Sequence, residues 1–140
     1  MAIRILVADD SETVCNAISA LLRASASEWQ VCAVADDGEA AVQKAAALKP
    51  DLVLLDFVMP QRDGLSAARS IRAFLPQTPI IFYTMFATPY LEYEAKEAGA
   101  HAVVQKPNGA GLVAAIRAAL AGNPPFGRQN FPPSSGTSAI

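Results

Sequence analysis

Four short segments of this chain each end in a residue suited to phosphoryl chemistry: Asp9-Asp10 after IRILVA, Asp56 after DLVLL, Thr84 after PIIFY and Lys106 after HAVVQ. In every case an apolar run of strand length feeds the polar residue directly. Runs of this kind, laid as parallel neighbours in one sheet, bring the groups that follow them to a single edge, where open α/β sheets place their ligand sites. Three carboxylates facing one ammonium and one hydroxyl hold a core together poorly, because clustered like charges repel strongly at protein-like dielectric. That repulsion falls when an oxygen-seeking dication binds, and Mg²⁺ favours a few carboxylates together with waters and a phosphate. Thr84 supplies a hydrogen-bond donor to a phosphoryl oxygen, and Lys106 a fixed positive charge.

Each signal alone has an ordinary explanation. A single Asp at a strand end commonly caps a helix or starts a turn. Asp56, however, follows LVLL at the end of a run apolar throughout, so its carboxylate must stand at the mouth of a cleft or be neutralised. Asp9 and Asp10 together exceed what one helix cap needs. The Lys106-Pro107 bond, being X-Pro, admits the cis form at modest cost.

The elements that carry these residues alternate without exception. Strands are expected over 3–8, 29–35, 52–55, 80–83 and 102–105. Between and after them, helical periods cover 11–25, 37–48, 64–75, from Pro89 to Gly99, and 110–121. Val14, Ile18, Leu21 and Leu22 fall on one face of the first helix. Leu52–Leu55 is apolar throughout, as in a strand buried on both faces. Thr88 caps the fourth helix with Pro89 at its first position. Strict β-α alternation predicts an α/β fold with a five-stranded parallel, doubly wound sheet, the flavodoxin-like (βα)5 arrangement. Five units are too few to close an eight-stranded barrel.

The whole chain, at 140 residues, has room for one domain, and its 52% apolar content supports a well-buried core. A net charge of −2 gives no basic face for nucleic acid, so direct nucleic-acid binding by this domain is not expected. No apolar run approaches a membrane span, and MAIRILVADD turns acidic too soon for a secretory signal; the expected location is cytoplasmic. Cys15 and Cys32 are expected as reduced, buried thiols. From Gly122 the composition shifts to proline, serine and glycine with Phe126, Phe131 and Ile140 as the bulky apolar groups. Residues 1–121 are therefore read as the domain and 122–140 as a tail or linker.

The motifs VADDS, LVLLDFVMPQRDG, FYT, EAGA and QKP give the chain its resemblance to the receiver domains of bacterial two-component response regulators, over about residues 3–121. That resemblance implies a signalling switch in a phosphorelay rather than an enzyme. Asp56 would accept a phosphoryl group from the phosphohistidine of a sensor histidine kinase or phosphotransfer protein. Asp10 would ligate Mg²⁺ directly, Asp9 would do so as a second ligand or through water, and Asp56 with the carbonyl of Val58 would complete the protein's share. Lys106 would pair with phosphoryl oxygens and Thr84 would move toward them. The switch would alter partner binding or an output domain, a transcriptional one if the chain belongs to a DNA-binding regulator.

Several positions depart from the family pattern. Val103 stands where such domains carry a Tyr or Phe, Met85-Phe86 follow Thr84 where a small residue is usual, and Val58 is apolar where a polar group can orient water. A long-lived phosphoryl adduct is the expectation from Val58, and narrowed access the expectation from Met85 and Phe86. On the fourth helix, Tyr90, Tyr93, Glu94 and Glu97 oppose Leu91, Ala95 and Ala98, a face suited to a second copy or an output partner. His101, with no base or nucleophile near it in sequence, reads as structural or solvated. Two other readings compete. A haloacid-dehalogenase-like phosphatase would place its nucleophile in an Asp-x-Asp pattern after the first strand, whereas this chain has Asp9-Asp10-Ser11. A phosphorylation-independent interaction module on the same fold is the remaining alternative.

Overall fold

The computed structural model describes residues 2–126. Strands β1 (Ile3–Ala8), β2 (Trp29–Ala35), β3 (Leu52–Leu55), β4 (Ile80–Thr84) and β5 (Ala102–Gln105) alternate with helices α1 (Glu12–Ser25), α2 (Gly38–Leu48), α3 (Gly64–Phe74), α4 (Pro89–Glu97) and α5 (Gly109–Leu120). All neighbouring strands pair in parallel, in the order β2-β1-β3-β4-β5. The expected fold is therefore the observed one.

Alternation along each strand divides the core. Leu6, Ala8, Val53, Leu55, Ile80 and Phe82 face α2, α3 and α4, where Ala41, Ala45, Ala68, Ile71, Leu91 and Ala95 meet them. Ile5, Val7, Leu52, Leu54, Ile81 and Tyr83 face the other way, onto Cys15, Ile18 and Leu22 of α1 and Leu112 and Ile116 of α5. Side chains on successive strand residues point to opposite faces, so a strand covered by helices on both sides must be apolar at every position. Alanine lines the helices where they approach the sheet.

Helix starts follow cap chemistry. Ser11, Asp37, Asp63, Thr88 and Asn108 each accept a hydrogen bond from a backbone N–H three residues on. Ser11 and Asp37 thus stand just outside helices that the sequence pattern began on them. Other boundaries move by a residue or two: α3 ends at Phe74, α4 ends at Glu97, before the left-handed Gly99, α5 runs from Gly109 to Leu120, and β4 includes Thr84.

Cys15 is buried, with its thiol pushed above the ordinary value first by burial and then by the nearby Asp9 charge. Cys32 corrects the expectation of burial and is only half covered. The reason is a bulge on the edge strand: Ile5 pairs with Val31 and Leu6 with Ala33, leaving Cys32 as the extra residue. Among the described residues no helix is long and apolar enough to cross a membrane.

Candidate functional site

The strand order reverses direction between β1 and β3, and both strands run out at the same edge. In open α/β sheets that switch point is where a crevice opens. Asp9 and Asp10 follow β1 there and Asp56 follows β3, with Asp56 N–H donating to the Ala8 carbonyl at 2.9 Å. One carboxylate oxygen from each of Asp9, Asp10 and Asp56 lies within 4.8 Å of the other two. Lys106 comes from β5, two strands away from β3 and so about 10 Å across at normal strand spacing. Its four-carbon stem and the Asp56 side chain close that span together. The ammonium reaches Asp9 Oδ2 at 2.6 Å and Asp56 Oδ2 at 3.4 Å.

Asp9 is almost wholly buried, at 3% exposed, and both its oxygens are engaged: Oδ1 accepts from Ser11 N–H at 2.9 Å and Oδ2 takes Lys106. Asp56 keeps 12% of its side chain open at the mouth, with Oδ1 accepting from Phe57 N–H at 2.7 Å. Asp10 is exposed. The three carboxylates thus form a graded set, from a fixed inner acid to an outer one facing solvent.

Burial alone pulls the Lys106 ammonium toward neutrality, but hydrogen bonding and charge from Asp9 and Asp56 outweigh it and hold its pKa above the ordinary 10.5. Lys106 therefore stays cationic. The ammonium also lies 5.8 Å from the centre of the Tyr83 ring. Its peptide bond to Pro107 is cis.

Thr84 is fully buried, and its hydroxyl oxygen accepts from Phe86 N–H at 3.2 Å, so its bond is to the β4–α4 loop and not to a carboxylate. Val58 stands on the rim, 49% exposed. Met85 and Phe86 are 66% and 55% exposed. Tyr90 and Tyr93 are exposed on α4 as the periodicity indicated, whereas Glu94 is half-buried and pairs with Arg69 at 3.2 Å.

Several supporting residues escaped the sequence reading. Gln105 ties the end of β5 to the β4–α4 loop, accepting from Ala87 N–H at 3.2 Å and donating to the Met85 carbonyl at 3.1 Å. The Tyr83 hydroxyl accepts from Asn108 N–H at 3.0 Å, anchoring the turn that follows Lys106. Gly64 N–H donates to the Phe57 carbonyl at 2.8 Å. A Cβ on Gly64 would lie 2.9 Å from Phe57 Cα and from Phe82 Cε1, and nearer still to the Asp56 carbonyl oxygen. Of these, only the glycine left a sequence signal, in the Asp63-Gly64 pair.

The donor set suits a hard dication. All candidate ligands are oxygens, and three carboxylates against one ammonium leave an excess of negative charge open to solvent. Softer metals that favour nitrogen or sulfur find no histidine here, and Cys15 donates its thiol hydrogen to the Asp9 carbonyl at 3.4 Å.

Comparison with known proteins agrees with this geometry. The family model described as the response regulator receiver domain matches residues 5–117. A protein-glutamate methylesterase/protein-glutamine glutaminase from a Nocardioides species is 40% identical over 113 residues, covering 79% of this chain and 31% of that protein. The response regulator protein VraR of Staphylococcus aureus is 35% identical over 127 residues, covering 90% of this chain and 60% of VraR. This chain thus spans about a third of the methylesterase and 60% of VraR. The response regulator domain of Thermotoga maritima CheB superposes with a TM-score of 0.81 at 29% identity, covering 89% of this chain and all of that domain. With the match extending from β1 into α5, and every strand and helix of the fold accounted for, this chain belongs to the response regulator receiver domain family.

Proposed function

We propose that this domain accepts a phosphoryl group on Asp56 in a Mg²⁺-dependent reaction with the phosphohistidine of a sensor histidine kinase or phosphotransfer protein. The observation that carries the reading is the convergence of Asp9, Asp10 and Asp56 with the Lys106 ammonium at the switch point of the sheet. Phosphoryl transfer needs positioning and charge neutralisation more than covalent assistance from the enzyme-like partner. Asp56 has a nucleophilic oxygen at an open mouth, and its other oxygen is oriented by Phe57 N–H. As Asp56 attacks phosphorus, the P–N bond to the donor imidazole breaks and an acyl phosphate forms. Lys106 stands beside the Asp56 oxygen at 3.4 Å, so its charge offsets the negative charge brought by the phosphoryl group. Thr84 would exchange its bond with Phe86 N–H for one to a phosphoryl oxygen.

Asp9, Asp10 and Asp56, with the Val58 carbonyl, would hold Mg²⁺. The ion would neutralise the acidic cluster and the incoming phosphoryl oxygens. The switch would act in the cytoplasm, and Tyr90 and Tyr93 would give α4 a contact face for a second copy or an output partner. The receiver would comprise residues 1–121, with 122–140 as a tail or linker; residues 127–140 lie outside the described residues. Its output resides in a partner or in a further domain, and methylesterase activity is one candidate for a longer protein, on the strength of the relatives.

The test is intact mass after incubation with acetyl phosphate, with and without Mg²⁺. One phosphoryl adduct that requires Mg²⁺ and is missing from Asp56→Asn is expected. A folded, Mg²⁺-binding protein that takes no adduct would instead be the phosphorylation-independent module.

A further inference from the structure

The chain does not leave the domain where α5 ends. Gly122 N–H donates to the Ala119 carbonyl at 3.1 Å and Asn123 N–H to the Ala118 carbonyl at 3.0 Å, which close the helix. The next residues turn back to the entrance of β5. There the Asn123 carbonyl meets His101 Nε2 at 2.8 Å, and Phe126 N–H donates to the His101 carbonyl at 2.9 Å. A carbonyl can only accept, so Nε2 carries the ring hydrogen in this contact. The Phe126 side chain is half-buried against the cluster that contains Ala95, Ala98 and Ala100. Its φ of 51° is a left-handed conformation that side chains disfavour, so its contacts hold it there. The corner is fixed from other sides as well. His101 N–H donates to the Ile80 carbonyl at 2.6 Å, and Arg72 donates to the Leu75 and Gly99 carbonyls at 2.8 and 2.9 Å.

We propose that residues 122–126 form a latch between α5 and the entrance of β5, and that phosphorylation at the opposite end of β5 opens it. The coupling rests on the acceptor reading given above. Lys106 and His101 flank the four residues of β5, one at each end. β5 is an edge strand hydrogen-bonded to β4 alone, and Gln105 and the Lys106 N–H tie its far end to the β4–α4 loop and to the Thr84 carbonyl. Negative charge added to Asp56 draws the Lys106 ammonium inward, and a short strand follows as a unit. The latch is fastened to α5 at one end and to His101 at the other. Displacement of β5 against α5 therefore pulls apart the two contacts that His101 makes. The latch residues 122–126 then gain freedom when the acceptor is occupied, which gives the site a route to the far end of β5.

Two readouts on the full 140-residue chain test this. Amide exchange at Phe126, followed by NMR with Mg²⁺ and acetyl phosphate, should accelerate about fivefold or more as the adduct forms, the lower range of ordinary allosteric coupling. Coupling is reciprocal, so His101→Ala and Phe126→Ala, both remote from the phosphoryl site, should bind beryllofluoride with Mg²⁺ about fivefold more tightly by titration calorimetry. Circular dichroism checks that both variants fold. A complete adduct with unchanged Phe126 exchange overturns the latch but leaves the acceptor reading intact. Unchanged beryllofluoride affinity in both folded variants overturns it likewise. If no adduct forms and no beryllofluoride binds, the acceptor reading fails and takes the coupling with it.

Discussion

At the level of single residues, the site is organised by Lys106. Its ion pair with Asp9 is largely out of water, at 11% and 3% side-chain exposure, and removing one partner of such a pair leaves the other charge buried without compensation. Lys106→Met should therefore lower stability by about 3 kcal/mol in Mg²⁺-free buffer, measured by urea unfolding. The pH dependence follows from the direction of the lysine's shift. Its folded-state pKa lies above the ordinary 10.5, so the ion pair's contribution is fully present below that value and is lost as pH rises through the folded-state one. Above neutral pH the stability gap between parent and variant should narrow only in strongly alkaline solution; narrowing between pH 6 and 9 would contradict the assignment. Val58 has a separate effect. Its half-exposed apolar side chain on the rim has no group to orient an attacking water, so the acyl phosphate should be long-lived. Val58→Asn should shorten the adduct's lifetime about tenfold, one decade being a modest share of what a positioned water is worth. An adduct that decays no faster in the variant would count against that role.

Among the secondary-structure elements, the β3–α3 junction shows how closely the backbone at Asp56 is packed. Gly64 opens α3 with its Cα directly against the Asp56 and Phe57 backbone, and no space remains for a methyl group between that backbone and the Phe82 ring. Gly64→Ala must push α3 or the acceptor loop outward. A loss of about 1–3 kcal/mol by urea unfolding is expected, with a slower rise of the phosphoryl adduct in the same variant. Parental stability and rate together would show that the junction yields freely. This junction also marks the limit of what the chain reveals by pattern. The five strands, β3 apolar at every position among them, the Thr88 cap and the polar residues at strand ends were readable, because each follows from local periodicity or cap chemistry. The same pattern puts Ser11 and Asp37 inside the helices they cap. Contacts between ends of different elements were not. The Gln105 clamp, the Tyr83–Asn108 bond and the return of Phe126 to His101 depend on where distant segments meet, and no local spacing encodes that.

For the molecule as a whole, the acidic cluster sets stability against ligand binding. Asp9, Asp10 and Asp56 crowd within 4.8 Å, and one ammonium does not balance three carboxylates. Asp10 is the exposed member, so the fold does not depend on its side chain for packing. Without a metal its charge would mainly repel its neighbours; with Mg²⁺ it would supply an oxygen ligand. A ligand that binds only the folded state at ten times its dissociation constant adds about 1.4 kcal/mol. For a domain of this size that corresponds to a rise in Tm of roughly 3–6 °C. Parent protein should show such a rise on adding Mg²⁺, and Asp10→Asn should show little of it. The two melting curves should therefore change order: the variant melts higher in EDTA, where repulsion dominates, and lower in saturating Mg²⁺, where the lost ligand dominates. Calorimetry under the two conditions reads both effects in the same pair of proteins. A variant that keeps the full Mg²⁺ response would remove Asp10 from the ligand set. One that melts below the parent even in EDTA would show that the charge at position 10 supports the fold, for instance at the start of α1, more than it opposes it.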